Sequence, residues 1–315
     1  MDEPEVDTPA GVVPSLVDEV AGLQLAAERD RGGRGLSEAR RRALERAAEG
    51  TGAGVLAVVA RDPADGRLVG YAQVDDGGDR AASNAEVVTL DGGPAGARLT
   101  DRLLDAAVDA FRSAGGGHLR LWVTHAGPAD DARATGRGLV PERDLLQLRC
   151  PLPLPPPERD DEVVATRAFR VGVDEPAWLE ANNRAFAGHP EQGRWDPATL
   201  EEREAEPWFD PVGFRVLEVD GRVGGSCWTK VHPDTRPPMG EIYVVSVDPD
   251  LHGRGLGRAL TRAGLDWLAS TGVTVGMLYV DAANAAAVGL YRSMGFTTHH
   301  VDRSYTADVP PFATT

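Results

Sequence analysis

The sequence is short of cysteine, of lysine and of long apolar runs, and each shortage removes a class of protein. Only two cysteines occur, Cys150 and Cys227, one in each half. With 315 residues, 42% of them hydrophobic, the chain can build two cores without covalent staples. A disulfide framework is not expected, and both thiols read as small buried residues in a reducing compartment. No run approaches the ~18 apolar residues that a membrane helix needs. Met1 to Thr8 is acidic and lacks the basic and apolar regions of a signal peptide. A cytoplasmic protein with no membrane partner is expected. Positive charge is also short, with 33 Lys and Arg against 49 Asp and Glu, a net charge of −16. That balance argues against nucleic acid as a partner. An anionic ligand would have to be held by a local cluster of donors. His189, His232, His299 and His300 show no zinc-ligand spacing, so no metal is expected. A monomer with a small-molecule partner is the simplest expectation.

What the sequence does contain is a repeat. Val55 to Ala60, the turn Asp62 to Gly66 and Leu68 to Val74 read as two strands around a tight turn. Phe214 to Val219, Asp220-Gly221 and Val223 to Val231 read the same way. Glu86 to Leu90 matches Glu241 to Val247, a third strand led by a glutamate. A helix follows in each half, Ala97 to Ala114 and Gly255 to Ser270. Then come a strand (His118 to Val123; Val275 to Val280), a short helix (Ala129 to Arg137; Asn284 to Met294) and a last strand (Leu145 to Leu152; Thr297 to Thr306). Helices over Pro14 to Arg29, Leu36 to Glu49 and Glu175 to Ala187 precede the hairpins. The run Pro151-Leu-Pro-Leu-Pro-Pro-Pro-Glu158 cannot continue as central strand or helix. The expected organisation is an α/β fold twice over: a domain at 1–154, a linker at 155–162 and a domain at 163–315. Each is a mixed sheet with helices on its faces.

Asp248-Pro-Asp-Leu-His-Gly-Arg-Gly-Leu-Gly-Arg258 carries the sharpest chemical signal. A strand enters a loop with glycines at 253, 255 and 257, and a helix begins there. Backbone N–H groups can approach an anion closely at glycine, and a helix N-terminus adds free donors and a positive dipole end. Arg254, Arg258 and Arg262 add charge. The pattern reads as a pyrophosphate cradle. It lacks the Lys-Ser or Lys-Thr of a Walker A loop. A dinucleotide fingerprint would open an early βαβ unit, whereas this loop follows a hairpin and a third strand.

His252-Gly-Arg-Gly-Leu-Gly257 resembles the acyl-CoA loop of the GNAT acetyltransferase superfamily, with His252 where Gln or Arg is usual. Asn284 to Phe296 resembles its later helix. Asn182 to Trp195, Trp208 to Pro211, Trp228 to Asp234 and Gly240 to Val247 are similar to the mycothiol synthase family, a fused pair of such domains from actinobacteria. The resemblance implies a tandem pair of GNAT folds. It also implies transfer of acetyl from acetyl-CoA to the cysteine amine of cysteinyl-glucosaminyl-inositol, giving mycothiol and CoA. Other readings are an N-acetyltransferase for another small amine or peptide, and a non-catalytic acyl-CoA sensor.

The roles implied are these. Glu241 acts as general base and holds the ammonium; Tyr291 acts as general acid at the sulfur. Glu38, Glu191, Lys230, Glu241 and Tyr279 contact the acceptor. Val245, Ser246 and Val247 meet the acetyl and pantetheine arm. His252, Gly253, Arg254, Gly255, Leu256, Gly257 and Arg258 hold the pyrophosphate. Asn284, Ala285, Ala286, Ala287, Val288 and Gly289 flank the arm. In the first half, Val87, Val88 and Thr89 are the counterparts that would meet a second cofactor. That half has Asp91-Gly-Gly-Pro-Ala-Gly-Ala-Arg98 in place of the cradle, and Ala134 opposite Tyr291. It is expected to be catalytically silent.

Overall fold

The computed structural model describes residues 3–31, 35–51, 54–75, 82–90, 92–157, 163–188 and 195–312. The first repeat contains β1 (Glu5–Asp7), α1 (Pro14–Arg31), α2 (Glu38–Ala48), β2 (Val55–Arg61), β3 (Leu68–Asp75), β4 (Ser83–Thr89), α3 (Pro94–Ser113), β5 (Gly117–Val123), α4 (Pro128–Thr135) and β6 (Val140–Pro151). The second contains β7 (Arg167–Ala168), α5 (Glu175–Ala185), α6 (Pro197–Glu204), β8 (Phe214–Val219), β9 (Arg222–His232), β10 (Met239–Val247), α7 (Leu256–Ser270), β11 (Val275–Asp281), α8 (Ala285–Ser293) and β12 (Thr297–Val309). The duplicated order read from the sequence is present. Strands β1 and β7 and helix α6 are additions. The two strands are too short for a periodic pattern. Helix α6 buries only Leu200, although Asp196 caps it by accepting from the Thr199 N–H at 2.8 Å. Among the described residues no helix is long and apolar enough to cross a membrane.

The chain forms two compact units, Met1–Leu145 with His300–Thr315, and Leu146–His299. This differs from the boundary expected at 155–162. The proline run does end regular structure, since β6 stops at Pro151. Prolines mark where a strand must stop; they do not say which sheet the strand joins. The first unit has strand order β1-β2-β3-β4-β5-β12 and the second β6-β11-β10-β9-β8-β7. Arg303 to Val309 of β12 pair antiparallel with Val123 to Gly117 of β5. Beyond β6, the Leu152 N–H donates to the Thr274 carbonyl at 2.9 Å, just before β11. Each repeat therefore encodes the strand that completes the other unit's sheet.

In the first unit, Leu16, Val20, Leu23 and Ala27 of α1 recur at helical spacing and meet Ala57, Val59 and Tyr71 on one face of the sheet. Leu99, Leu103, Leu104, Ala107 and Phe111 of α3 meet Val58, Ala60, Ala72 and Val74 on the other. In the second unit, Trp178 and Leu179 of α5 and Leu200 of α6 pack on Phe214, Val216, Trp228 and Val244. Helix α7 takes the opposite face at very short range. A Cβ on Gly240 would lie 2.7 Å from Leu268 Cδ2, and one on Gly225 would lie 2.8 Å from Leu260 Cδ1. These strand glycines let α7 seat its leucines directly on the backbone, which fixes where the helix begins.

That beginning matters because the sheet opens beside it. Strand β10 pairs in parallel with β11 only from Met239 to Ile242, opposite Val275 to Leu278. A bulge between Ile242 and Val244 follows, after which β10 continues on β9 alone, with Val244 to Val247 opposite Trp228 to Gly225. Strands β10 and β11 part at this point, and the cradle loop follows the freed end of β10.

Candidate active site

Two adjacent strands carry Glu241 and Lys230, two of the residues expected to meet the acceptor. Glu241 on β10 lies directly opposite Lys230 on β9, one residue before the parallel pairing with β11 ends. Lys230 is the chain's one lysine. Its Nζ lies 4.3 Å from the ring centre of Trp208 and 5.6 Å from that of Tyr243, an aromatic cage for a cation. Glu241 is only 9% exposed. Its Oε2 accepts from His232 Nε2 at 2.7 Å. Beneath these groups lies a rigid aromatic layer. Trp228 stacks on Phe214 at 4.4 Å and meets Trp178 edge-on at 5.8 Å. Trp178 Nε1 donates to Ser226 Oγ at 2.8 Å. Each such ring pair adds ~0.5–1.5 kcal/mol beyond area burial, so the strand face beneath Lys230 is held firmly.

The cradle has the geometry that an anion site requires. Gly253 and Gly255 have φ of 79° and 76°, backbone that L side chains rarely adopt. A Cβ on either would meet nothing within 4 Å, so the space beside them is open. Gly255 is the N-cap of α7 and supplies no side-chain cap. The first-turn N–H groups of α7 thus have no capping side chain, and a bound anion can take that place. Arg254 is exposed. Arg258 Nη2 donates to Ser293 Oγ of α8, which ties the two helices. Arg262 is not part of the cradle: it is buried and its Nη1 donates to the Pro155 carbonyl at 3.0 Å. The His252 ring donates through Nε2 to the Val247 carbonyl at 3.1 Å, pinning the loop to the strand end. Arg184 of α5 reaches Asp250 at 2.8 Å and Asp248 at 3.3 Å, which offsets the acidic start of the loop.

Helix α8 supplies the remaining groups. Asn284 is its N-cap, its Oδ1 accepting from the Ala287 N–H at 3.1 Å, which leaves the side-chain NH₂ for a ligand. Ala285 to Gly289 form the first turns. Tyr291 is buried, with its ring edge-on to Phe296 at 5.8 Å. Burial, with a smaller effect from Cys227, pushes its phenol above the ordinary range. It therefore keeps its proton and has a hydrogen to donate. Among the described residues no protein group takes that hydroxyl. Cys227 is itself buried, its thiol pushed up to about 12, so it stays protonated and inert.

Tyr279 lies on β11, one residue past the end of the β10 pairing, and its hydroxyl accepts from Gln147 Nε2 at 2.7 Å. Glu38 opens α2 in the first unit and pairs with Arg42 at 2.8 Å. Glu191, like His189, lies outside the described residues. The sequence gives His232 no role, since its spacing from the other histidines does not suit a metal. Its place two residues after Lys230, on the same strand face, was the available signal. Trp208 and Tyr243 lie in strings that carry the family resemblance, but nothing in the sequence brings either of them to Lys230. Among the described residues no group of three or more His, Cys, Asp or Glu could hold a metal ion.

The first unit can be compared position by position. Its parallel pairing ends at Ala85 opposite Leu121, as the second unit's ends at Ile242 opposite Leu278. By this register Asn84, not Glu86, stands where Glu241 stands. Asp75, opposite Asn84, stands where Lys230 stands. The match of Glu86 with Glu241 is thus two residues out, because β4 begins earlier than expected and has no bulge. Val87, Val88 and Thr89 fall at the places of Val245, Ser246 and Val247. Ala134 does stand opposite Tyr291: the N–H five residues on returns to each carbonyl at 3.1 Å. Asp91 lies outside the described residues. Glu86 itself is buried and accepts from the Ser37 N–H and Oγ at 2.7 and 2.6 Å, while Arg40 pairs with Asp75.

Residues 160–296 match the model of the Acetyltransferase (GNAT) family. The fold is similar to that of a GCN5-related N-acetyltransferase from Sphaerobacter thermophilus, with a TM-score of 0.68 and 23% identity over 100% of this chain and 98% of that one. It is also similar to a tandem GNAT protein from the clavulanic acid biosynthesis pathway, with a TM-score of 0.64 and 16% identity over 99% of this chain and 100% of that one. The protein is a tandem GNAT acetyltransferase. Its sequence is 42% identical to the mycothiol acetyltransferase of Thermomonospora curvata, over 98% of this chain and 100% of that protein. The chain belongs to the mycothiol acetyltransferase family.

Proposed function

We propose that this protein transfers an acetyl group from acetyl-CoA to the cysteine α-amine of cysteinyl-glucosaminyl-inositol, forming mycothiol. The observation that carries this reading is the Glu241–Lys230 pair at the parting of β10 and β11, followed by an uncapped helix start at Gly255. The first feature suits a cationic, hydroxyl-rich acceptor and the second a pyrophosphate. Acetyl-CoA, when bound, supplies an activated thioester. Gly253 to Arg258 would hold its pyrophosphate through backbone N–H groups and Arg254. The freed edge of β10 at Val245 to Val247 would orient the pantetheine arm.

The acceptor amine is mostly protonated near neutral pH, since an α-amino group titrates at about 7.7–8.0. Glu241 holds the ammonium and removes its proton, directly or through water. The neutral nitrogen then forms its bond to the thioester carbon and releases its surplus proton to solvent as the carbon–sulfur bond breaks. Tyr291 donates its phenolic hydrogen toward the departing sulfur. A phenol held above its usual range stabilises a thiolate chiefly by hydrogen bonding, with the proton finally drawn from solvent. Lys230, with Trp208 and Tyr243 beside it, would hold hydroxyls of the sugar or inositol. Tyr279, Glu191 and Glu38 are proposed as further acceptor contacts. Residues Val87 to Thr89 retain the strand geometry for a second cofactor but lack the surrounding groups.

CoA release measured with the cysteinyl precursor and a panel of other primary amines tests the reading. Turnover confined to the precursor supports it. Turnover only with another amine, or tight acetyl-CoA binding with no turnover at all, overturns it.

A further inference from the structure

His232 ends β9, two residues beyond Lys230 and on the same face of the strand. The register places it diagonally from Glu241, since Met239 is its direct partner and Lys230 is that of Glu241. Diagonal neighbours across an antiparallel pair are within reach of long side chains. Here the reach is used: His232 Nε2 lies 2.7 Å from Glu241 Oε2. A carboxylate oxygen only accepts, so the imidazole nitrogen donates. The two oxygens of Glu241 are thereby made unequal. Oε2 is occupied by the ring N–H, and Oε1 has no protein partner among the described residues.

A general base works only when its lone pair is aimed at the proton it removes. An isolated glutamate has three side-chain torsions to fix, and the Glu241 side chain is only 11% exposed, so water contributes little to holding it. The aromatic layer under β9 and β10 fixes the strands but makes no hydrogen bond to this carboxylate. We propose that His232 is the positioning residue of this site, donating from Nε2 to Glu241 Oε2 so that Oε1 alone faces the acceptor amine. This rests on the reading of Glu241 as the general base. His232 touches neither the thioester nor the cradle, so its effect should fall on the chemical step.

The test uses the full chain and compares wild type, His232→Ala and His232→Gln. Acetyl-CoA affinity by calorimetry should be unchanged in both. The alanine variant should lose roughly 10- to 100-fold in kcat, less than the ~10²–10⁴-fold that a general base supplies, with little change in KM for the amine. His232→Gln, whose side-chain N–H can replace the ring donor, should recover part of the loss. So should imidazole added to the alanine variant, because the side chain is 27% exposed and a small ring can enter from solvent. If the alanine variant does not fold, His232→Asn takes its place, since its shorter amide cannot span the same distance. An unaltered kcat, or a loss that neither glutamine nor imidazole reverses, overturns the inference while leaving the function intact. A wild-type protein that does not acetylate the cysteinyl precursor overturns the functional reading, and this inference with it.

Discussion

Gly257→Ala separates a glycine needed for packing from one needed for a ligand. Gly257 is the second residue of α7. A Cβ there would lie 3.6 Å from Leu290 Cδ2, an ordinary contact, with no other neighbour within 4 Å. Its φ is not in the left-handed region. The free protein thus gives no reason for glycine, and alanine should stabilise the helix by about 0.5–1 kcal/mol. That corresponds to a rise in Tm of about 2–4 °C at most for a unit of this size. The added methyl would occupy space that a pyrophosphate needs to reach the first-turn N–H groups. Losing one hydrogen bond to a charged group costs ~1.5–3 kcal/mol. Acetyl-CoA should therefore bind roughly 10- to 100-fold more weakly. Thermal unfolding without ligand and calorimetric titration with acetyl-CoA measure the two effects on one sample. A more stable protein that binds less tightly is expected. Unaltered affinity would refute the cradle at this residue, and lowered stability would refute the packing half of the reasoning.

Glu241→Gln should lower kcat/KM by ~10²–10⁴-fold, most severely at lower pH where the amine is charged; a small, pH-independent loss in rate assays would make Glu241 a bystander. Tyr291→Phe should lower turnover with acetyl-CoA affinity nearly unchanged. Because burial raises the phenol, the wild-type alkaline limb below about pH 10 should not belong to it, and a limb abolished by the variant would contradict this. Burial also lifts the Glu86 carboxyl to about 7, opposed by its bonds from Ser37. A group raised on folding stabilises fully below its unfolded value near 4.3 and loses that contribution as pH rises to about 7. Denaturation of Glu86→Gln should show a flatter pH dependence between these limits, and an unaltered slope would count against the buried carboxyl as its source. A fragment of residues 163–315 contains Glu241, the cradle and Tyr291 but lacks β6, so it should fail to fold by circular dichroism; extending it back to residue 140 should help, and a well-folded short fragment would refute the role given to β6.

Much of this was legible because local patterns carried it. The paired hairpins, the glycine loop and the helix at Asn284 each have a short-range physical signature, and all fall where those signatures put them. The displaced boundary and the misplaced Glu86 share a different cause. Which sheet accepts β6 or β12, and whether a strand has a bulge, depend on pairing partners distant in sequence. The extra residue at the β10 bulge shifts every comparison beyond it by one, and β4 has no such residue. The His232–Glu241 bond was hidden for the same reason: nine positions separate the two residues, and only the hairpin register brings them together. Arg262 misled in the opposite direction. Its spacing after Arg254 and Arg258 reads as a third cradle charge, yet one helical turn carries it about 6 Å further along α7 from the loop, where it bonds to the Pro155 carbonyl.

The exchange of strands explains why a unit can lose its chemistry and still be kept. Asn84 and Asp75 stand where Glu241 and Lys230 stand in the second unit, and Ala134 stands where Tyr291 does. Each change replaces a side chain of the candidate site, and none removes a strand. The core under α3 remains well filled, from Leu99 to Phe111. The second unit's sheet ends in β6, which the first repeat encodes. On its other side β11 is held by β10 only over Met239 to Ile242, because the two strands must part to form the site. Without β6, β11 would be an edge strand held by four residue pairs, with its remaining backbone groups exposed. The opening that suits β10 for an acyl donor weakens β11 on that side, and β6 offsets the weakness. The constraint on the first repeat is thus to deliver a strand in register, and that constraint is indifferent to whether its own glutamate and tyrosine survive.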